Sequence, residues 1–149
     1  MHDIATYEAE ITEEVEEEKM QDVDVELHNM RQLLQESSNI AERLAALSKE
    51  RRSLNPLPGS LRKRRMRCGK QSCRCKAGYL HGPYYYFEPS RQHGKWHYVS
   101  KVRLAEVKRG ISDWKKQQDI DKAMQTLEEQ LETVLKEIQR GVASLMPDR

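Results

Sequence analysis

Two stretches of the chain carry the period of an amphipathic helix, and the first lies between residues 27 and 54. Its apolar positions step by threes, fours and sevens, which predicts a helix with one apolar stripe. These positions are Met30, Leu33, Ile40, Leu44, Leu47 and Leu54. The period stops at residues 55–60, which hold two prolines and a glycine. Because proline cannot continue a helix, this segment is predicted to be a linker or a sharp turn.

The second helical stretch is a long helix over residues 104–146, in which Gly110 and Ser112 offer one point where a break can occur. Beyond that point, apolar residues recur every seven positions at two heptad sites: Ile120, Leu127 and Val134 at one, and Met124, Leu131, Ile138 and Leu145 at the other. This spacing predicts a coiled-coil seam. The seam can pack antiparallel against the 27–54 helix or against a second copy of the chain, and the pattern does not choose between them.

The segment between these helices, residues 61–103, has a different character and is called the head. It holds all three cysteines and most of the aromatic residues. The aromatic runs 83–88 and 96–102 predict two strands, and the turn-like stretch 89–95 between them predicts a β-hairpin with a basic tip.

Charge is distributed unevenly along this chain of 149 residues. Residues 1–26 hold eleven acids and one base, whereas residues 49–76 hold eleven bases and one acid, although the whole chain carries a net charge of only +2. This separation of acidic and basic segments indicates what the protein binds more than how it folds. The segment 1–26 is expected to be a solvated acidic tail or a frayed helix. A sharper hypothesis is that it covers the basic region and competes with a ligand there.

Composition also restricts the cellular setting. No apolar run is long enough to cross a membrane, and the acidic first twenty residues lack the apolar segment of a secretory signal. Three cysteines without such a signal indicate a reducing compartment, so a cytoplasmic protein is expected.

The strongest chemical signal is the spacing Cys68-x4-Cys73-x-Cys75-x5-His81. Three thiolates and one imidazole form a standard tetrahedral zinc set, and a segment of this size rarely supports itself without a metal or disulfide. His81 has the best spacing for the fourth ligand, with His97 and His93 as rivals. Four protein ligands would leave no open position, so a structural Zn²⁺ is predicted. The predicted fold is therefore mostly α, with a small zinc-stapled β-hairpin head flanked by a long antiparallel helical or coiled-coil stalk.

A run of bases leads directly into the first cysteine, and further bases surround the cysteines and the hairpin tip. Clustered bases anchored to an ordered head favour contact with nucleic-acid phosphates over a merely solvated charge run. The candidate residues are Arg62, Lys63, Arg64, Arg65, Arg67, Lys70, Arg74, Lys76, Arg91 and Lys95. The tyrosines at 84–86 would alternate between the two faces of a strand. Most are expected to be core, but the outer face can stack on bases.

The residues from Arg67 to Tyr86 resemble a family of short, uncharacterised prokaryotic proteins. Their signature is similar to CGKxxCxCxxGxxHGPYYY, followed by a hairpin and a charged helical tail, and they are often met near mobile elements. The resemblance groups Cys68, Cys73, Cys75 and His81 together. The hairpin is also similar to the small sheet-type DNA-binding arms of tyrosine recombinases.

Three functions compete for this sequence. The favoured one is a non-enzymatic nucleic-acid-binding protein, with duplex DNA preferred because a basic β-ribbon fits the major groove, and with RNA as an alternative. The second is a coiled-coil adaptor for a protein partner, or a homodimer, in which zinc only shapes the tip. An enzyme is the weakest, because no phosphate loop, nucleophile elbow or carboxylate pair emerges.

Overall fold

The computed structural model describes the backbone of residues 4–146 and the side chains of residues 19–146. Its elements, in chain order, are helix α1 (Ile4–Ser53), strand β1 (Gly59–Met66), a short 3-10 helix (Arg74–Ala77), strand β2 (His81–Pro89), strand β3 (His97–Val99) and helix α2 (Leu104–Leu145). The protein is mostly helical, with one small antiparallel sheet. Among these residues no helix is long and apolar enough to cross a membrane.

The chain divides into two compact units. The central unit is Ser48–Ala123, and the terminal unit comprises the chain up to Leu47 and from Met124 onward. The sheet, the cysteines, the end of α1 and the beginning of α2 belong to the central unit, so the candidate chemistry is confined to it.

The terminal unit is held by the apolar stripe that the heptads predict. Ile40, Leu127 and Val134 are buried and form its core, with Leu33, Leu44, Leu47, Leu131 and Ile138 packed around them. The Ser144 hydroxyl donates a hydrogen bond of 3.3 Å to the Glu26 carboxylate. Because Glu26 precedes Ile40 whereas Ser144 follows Leu127, the two helices run antiparallel within this unit.

Helix α1 is longer than the periodicity indicates, because it begins at Ile4 and not at residue 27. Apolar periodicity marks only the part of a helix that packs on a neighbour, so an acidic stretch without a stripe leaves no such mark. From Ile4 onward, the expected acidic tail therefore lies within α1. The side chains of residues 1–18 lie outside the described part of the chain, and the hypothesis that this segment covers the basic region stays a prediction.

Helix α1 ends where the prolines require it to end. Pro56 and Pro58 have no backbone N–H and cannot donate the hydrogen bonds of a continuing helix. The backbone N–H of Asn55, just before them, donates to the Asp113 carboxylate at 3.2 Å. The Leu57 N–H donates to the backbone carbonyl of residue 110 at 2.8 Å. The segment 55–58 is thereby tied to α2 inside the central unit.

Gly110 does not break helix α2, which is continuous from Leu104 to Leu145. A Cβ atom at position 110 would lie 2.7 Å from the Leu57 Cβ, so only glycine allows this approach. The break that Gly110 and Ser112 allow is therefore absent from α2. This glycine serves packing, because the connection after α1 lies directly against the helix.

The head forms a three-stranded sheet in the order β1-β2-β3, with both pairs antiparallel, and β1 also includes residues 59 and 60 of the predicted linker. The predicted hairpin of two strands is thus incomplete. The basic run that leads into the first cysteine is itself a strand, β1, paired with β2 from Gly59↔Pro89 to Met66↔His81. Strand β3 is short, at three residues, compared with the predicted 96–102.

Candidate functional site: a Cys3His cluster beside a basic sheet

The sheet brings the ends of the cysteine segment together. Strand β1 ends at Met66 and β2 begins at His81, and these two residues are partners in the ladder. Cys68 therefore follows one strand closely while His81 opens the next. Between them the chain turns back through the 3-10 helix at Arg74–Ala77, which Cys73 precedes and which contains Cys75.

Gly78 ends this 3-10 helix in the left-handed conformation, with φ of 101°. A residue with a Cβ atom rarely adopts that conformation, so glycine is suited to this reversal. The reversal returns the chain toward His81 within three residues. Short-range turns and the β1–β2 pairing thus bring the four side chains into one place.

One ligand atom from each of Cys68, Cys73, Cys75 and His81 lies within 4.8 Å of the others. The sulfurs of Cys68 and Cys75 are 3.7 Å apart, and the Cys73 sulfur is 3.0 Å from His81 Nε2. Tetrahedral zinc with bonds of about 2.3 Å to sulfur places two sulfurs about 3.8 Å apart. The four residues can therefore hold a metal ion, and the sulfur spacing fits a tetrahedral site.

The cysteines are free thiols and not a disulfide pair. The 3.7 Å between the Cys68 and Cys75 sulfurs far exceeds a bond of about 2.05 Å. Cys75 is fully buried, whereas Cys68 and Cys73 are half-buried. The backbone N–H of Cys68 donates to the Cys75 sulfur at 3.4 Å, which orients that sulfur toward the cluster.

The surroundings shift the pKa values of Cys68 and Cys73, the two half-buried thiols, in opposite directions. A backbone hydrogen bond from Lys70, helped by a side-chain hydrogen bond from Cys73, lowers the pKa of Cys68 to about 7. The backbone hydrogen bond of Cys75 lowers the pKa of Cys73, but the contact with Cys68 and desolvation outweigh it, so that this pKa is raised overall. Of these two thiols, Cys68 therefore ionises more readily than Cys73, and the thiolate is the form that binds metal.

The rival histidines lie away from the cluster. His97 opens β3, is paired with Phe87 and is exposed. His93 is also exposed and lines a separate pocket with Trp114 and Glu88. Of the three candidates for the fourth ligand, the structure brings only His81 to the cysteines.

All ten candidate basic residues are exposed. They fall into three groups: Arg62, Lys63, Arg64 and Arg65 on β1, Arg67, Lys70, Arg74 and Lys76 around the cysteines, and Arg91 and Lys95 between β2 and β3. Because β1 is an edge strand, its bases lie along an unpaired backbone edge. The first two groups are joined at the end of β1, so they form one continuous run, called the basic edge (62–76).

Trp96 orders part of the basic edge, a role that the sequence pattern does not indicate. The guanidinium carbons of Arg62 and Arg64 lie 4.4 Å and 4.9 Å from the centroid of its ring. Arg62 also pairs with Glu88 at 3.6 Å. The aromatic run 96–102 predicts Trp96 within a strand, but this residue precedes β3 and its ring meets the bases of β1.

Successive residues of a strand point to opposite faces of the sheet, and directly paired residues of neighbouring strands form a row that shares one face. The two faces of this sheet have different surroundings. Tyr86 and Tyr98 are partners in one row, whereas Tyr85 and Val99 are partners in the next. Lys108 of α2 lies over the Tyr85 ring at 5.6 Å, and Val99 is buried. The face of Tyr86 and Tyr98 is the open face, since Tyr98 is 59% exposed.

The chain is thus a mostly helical protein whose small antiparallel sheet carries a Cys3His cluster. Residues 30–109, more than half of the chain, match the family described as a domain of unknown function, DUF6788, and the chain belongs to that family. No curated protein matches the chain, and no solved structure matches it.

Proposed function

We propose that this protein is a non-enzymatic nucleic-acid-binding protein with a structural zinc ion, acting as an accessory or regulatory factor. The observation that carries the proposal is the basic edge, whose eight bases are all exposed. Such a run, attached to an ordered sheet, can follow the phosphates of a nucleic-acid strand. The resemblance to proteins near mobile elements suggests the biological setting.

Zinc is the metal that the donor set favours. Three sulfurs and one imidazole nitrogen suit a borderline-soft ion with tetrahedral preference, and carboxylates or carbonyls would be needed for calcium or magnesium. With Cys68, Cys73, Cys75 and His81 as ligands, the ion would supply a structural cross-link between the end of β1 and the start of β2. Such a cross-link would hold the basic edge in one orientation.

The bases on the edge strand β1 also have a simpler explanation, which involves no ligand. Bases on an edge strand discourage pairing with the sheet of another molecule. That role explains bases on β1 itself, but it does not explain Arg67, Lys70, Arg74 and Lys76, which lie beyond the strand around the cluster. The continuation of the bases past the end of β1 therefore favours a ligand.

The proposal is tested by neutralising two bases that have no described role in the fold. Lys63→Gln and Arg65→Gln remove charge from β1, while Arg62 and Arg64 keep their contacts with Trp96. We expect weaker binding to labelled duplex DNA and a salt slope reduced by about 1.8, at about 0.9 per lost phosphate contact. Fluorescence anisotropy across a salt series measures both quantities.

The matched control is the double variant Arg43→Gln and Arg140→Gln. Both residues are exposed on the helices of the terminal unit, and the net charge changes by the same amount. We expect this control to retain the slope of the unaltered protein. Equal slopes for all three proteins would contradict the proposal, as would an absence of binding to duplex DNA and to single-stranded RNA. Stronger binding to the RNA would favour the RNA-binding alternative over duplex DNA.

A protein-interaction adaptor is the second candidate, favoured by exposed apolar side chains on the helices of the terminal unit. Leu34, Leu135 and Val142 are between 45% and 53% exposed. Such residues can contribute to a coiled-coil contact with a partner or with a second copy of the chain. This function predicts no nucleic-acid binding in the salt series, together with association through the helices.

A further inference from the structure

An open pocket of about 600 Å³ lies on the open face of the sheet, and Cys68, Cys73 and His81 of the cluster form part of its lining. Three tyrosines line it, Tyr84, Tyr86 and Tyr98, together with the bases Arg67 and Lys70. All of these residues belong to the central unit. The pocket is therefore formed jointly by the open face of the sheet and by the cysteine segment that follows β1.

The rings of Tyr84, Tyr86 and Tyr98 meet at steep angles and form a corner within the pocket lining. The Tyr98 ring is 5.9 Å from the Tyr86 ring at an interplanar angle of 68°, and 6.4 Å from the Tyr84 ring at 60°. These contacts leave Tyr98 59% exposed, while Tyr84 and Tyr86 are half-buried. Tyr86 is further positioned by its hydroxyl, which donates to the Met66 sulfur at 3.4 Å. A planar ligand can thus stack on Tyr98 against pre-positioned neighbours.

The charges beside this corner select the type of planar ligand. Arg67 and Lys70 are exposed where they line the pocket, and neither has an ion-pair partner among the residues that the structure describes. A nucleotide joins a planar base to a phosphate, so it satisfies the rings and the cations together. A neutral apolar ligand would offer these cations no counter-charge.

We propose that this pocket accepts an unstacked nucleobase of a single-stranded or unpaired nucleic-acid segment, with Tyr98 as the stacking surface and with Arg67 and Lys70 at the adjoining phosphates. The inference rests on the proposed function and specifies part of it. The basic edge contacts the phosphates of any strand, whereas the pocket acts only on a base that has left the helical stack. A fully paired duplex offers no such base.

The test compares Tyr98→Leu, Tyr98→Phe and the matched control Tyr79→Leu. Tyr79 is 74% exposed and lies outside the pocket lining. The probes are a labelled single strand of about 12 nucleotides containing 2-aminopurine, within the usual range of site sizes, and the fully paired duplex of the same sequence. Anisotropy gives the affinity, quenching of 2-aminopurine reports stacking, and the zinc content of each variant shows that the cluster is retained.

We expect Tyr98→Leu to weaken single-strand binding about 5- to 150-fold, the range for loss of one base–aromatic stack, and to abolish the quenching. Tyr98→Phe keeps the ring and should retain both signals, and Tyr79→Leu should match the unaltered protein. Binding of the duplex should be the same for all of these proteins. Adenosine monophosphate should bind at least about 100-fold more weakly than the strand, because it lacks the row of phosphates that the basic edge contacts.

Two outcomes would overturn the pocket while leaving the proposed function intact. These are single-strand binding that Tyr98→Leu does not change and an equal loss in Tyr79→Leu. Adenosine monophosphate binding as tightly as the strand would instead contradict the contribution of the basic edge, and with it the proposed function. If the unaltered protein bound neither probe, the proposed function would fail first. If Lys63→Gln and Arg65→Gln weakened both probes while Tyr98→Leu weakened neither, only the pocket would be rejected.

Discussion

Among single residues, the four candidate ligands have unequal roles in the cluster. Cys75 is fully buried and receives the Cys68 backbone N–H, so its sulfur has a defined direction before any metal binds. Cys68 and Cys73 are half-buried and closer to solvent. His81 differs again, because its position is set by the first ladder pair of β2 with β1. The cluster is thus partly organised by the fold around it.

The identity of the fourth ligand gives a direct prediction for one side chain. His81→Ala should weaken zinc binding by more than about 100-fold, because it removes a ligand and not merely an outer partner, whose loss costs about 10- to 100-fold. His97→Ala is the matched control and should bind zinc normally. Competition with a chromophoric chelator measures the affinities, and cobalt substitution reports the coordination geometry. Normal binding by His81→Ala with loss in His97→Ala would assign the ligand to His97.

Among the secondary-structure elements, strand β1 shows how a sequence with low strand preference becomes a strand. Four of its eight residues are bases, and most of its side chains are exposed. Its backbone pairs with β2 along nearly the whole length, with one irregularity between Arg64 and Met66. The Trp96 ring against Arg62 and Arg64 adds side-chain contacts. Pairing with a neighbour, and not a pattern of apolar residues, stabilises this strand.

The helices of the terminal unit depend on a few buried apolar residues. Leu127 is 3% exposed in the core, whereas Leu135, on the same helix, is 46% exposed. Leu127→Ala should lower the free energy of unfolding by about 2–5 kcal/mol, as for other buried leucines. Leu135→Ala, the same chemical change, should cost less than about 1 kcal/mol. Thermal and denaturant unfolding followed by circular dichroism measures both losses.

A loss for Leu135→Ala as large as that for Leu127→Ala would contradict the exposure of Leu135. It would show that Leu135 is buried in an association with another chain. Measurement of the molecular mass at the same protein concentration would then identify self-association.

In the molecule as a whole, the two compact units depend on different interactions. The terminal unit has a continuous apolar core, formed by the stripes of both helices. The central unit has few buried apolar side chains, which are Val99, Val107 and Ile120 with the buried Cys75, and it carries the Cys3His cluster. Small domains with little core commonly depend on metals or disulfides. The units should therefore respond differently to removal of the metal.

Chelation of bound zinc should loosen the segment from Cys68 to His81 and the strands that flank it. We expect faster amide hydrogen exchange there, and unchanged protection around Ile40, Leu127 and Val134, because their core contains no ligand. Hydrogen exchange followed by mass spectrometry, before and after addition of a chelator, resolves these regions. Re-addition of zinc is the control and should restore protection. Uniform loss of protection in both units would show that they unfold together.

Features that depend on neighbouring residues can be predicted from the amino-acid sequence alone. The heptad spacing locates the apolar stripe that includes Leu127 and Val134, and the prolines after Leu54 locate the end of α1. The spacing from Cys68 to His81 groups the residues that can hold a metal, since short turns bring them close. These features are local because helix period, proline stereochemistry and loop closure each act over a few residues.

Contacts between distant segments, in contrast, follow only from the folded chain. Residues 59–66 form a strand because they pair with a partner up to thirty positions away, as in Gly59↔Pro89. Residue 110 lies against Leu57 in a continuous helix, and such a close approach of two elements leaves no periodic mark. The folded chain also distinguishes His81 from His97 as a candidate ligand. Register and burial are set by the packing of whole elements, and a single stretch of sequence does not contain that information.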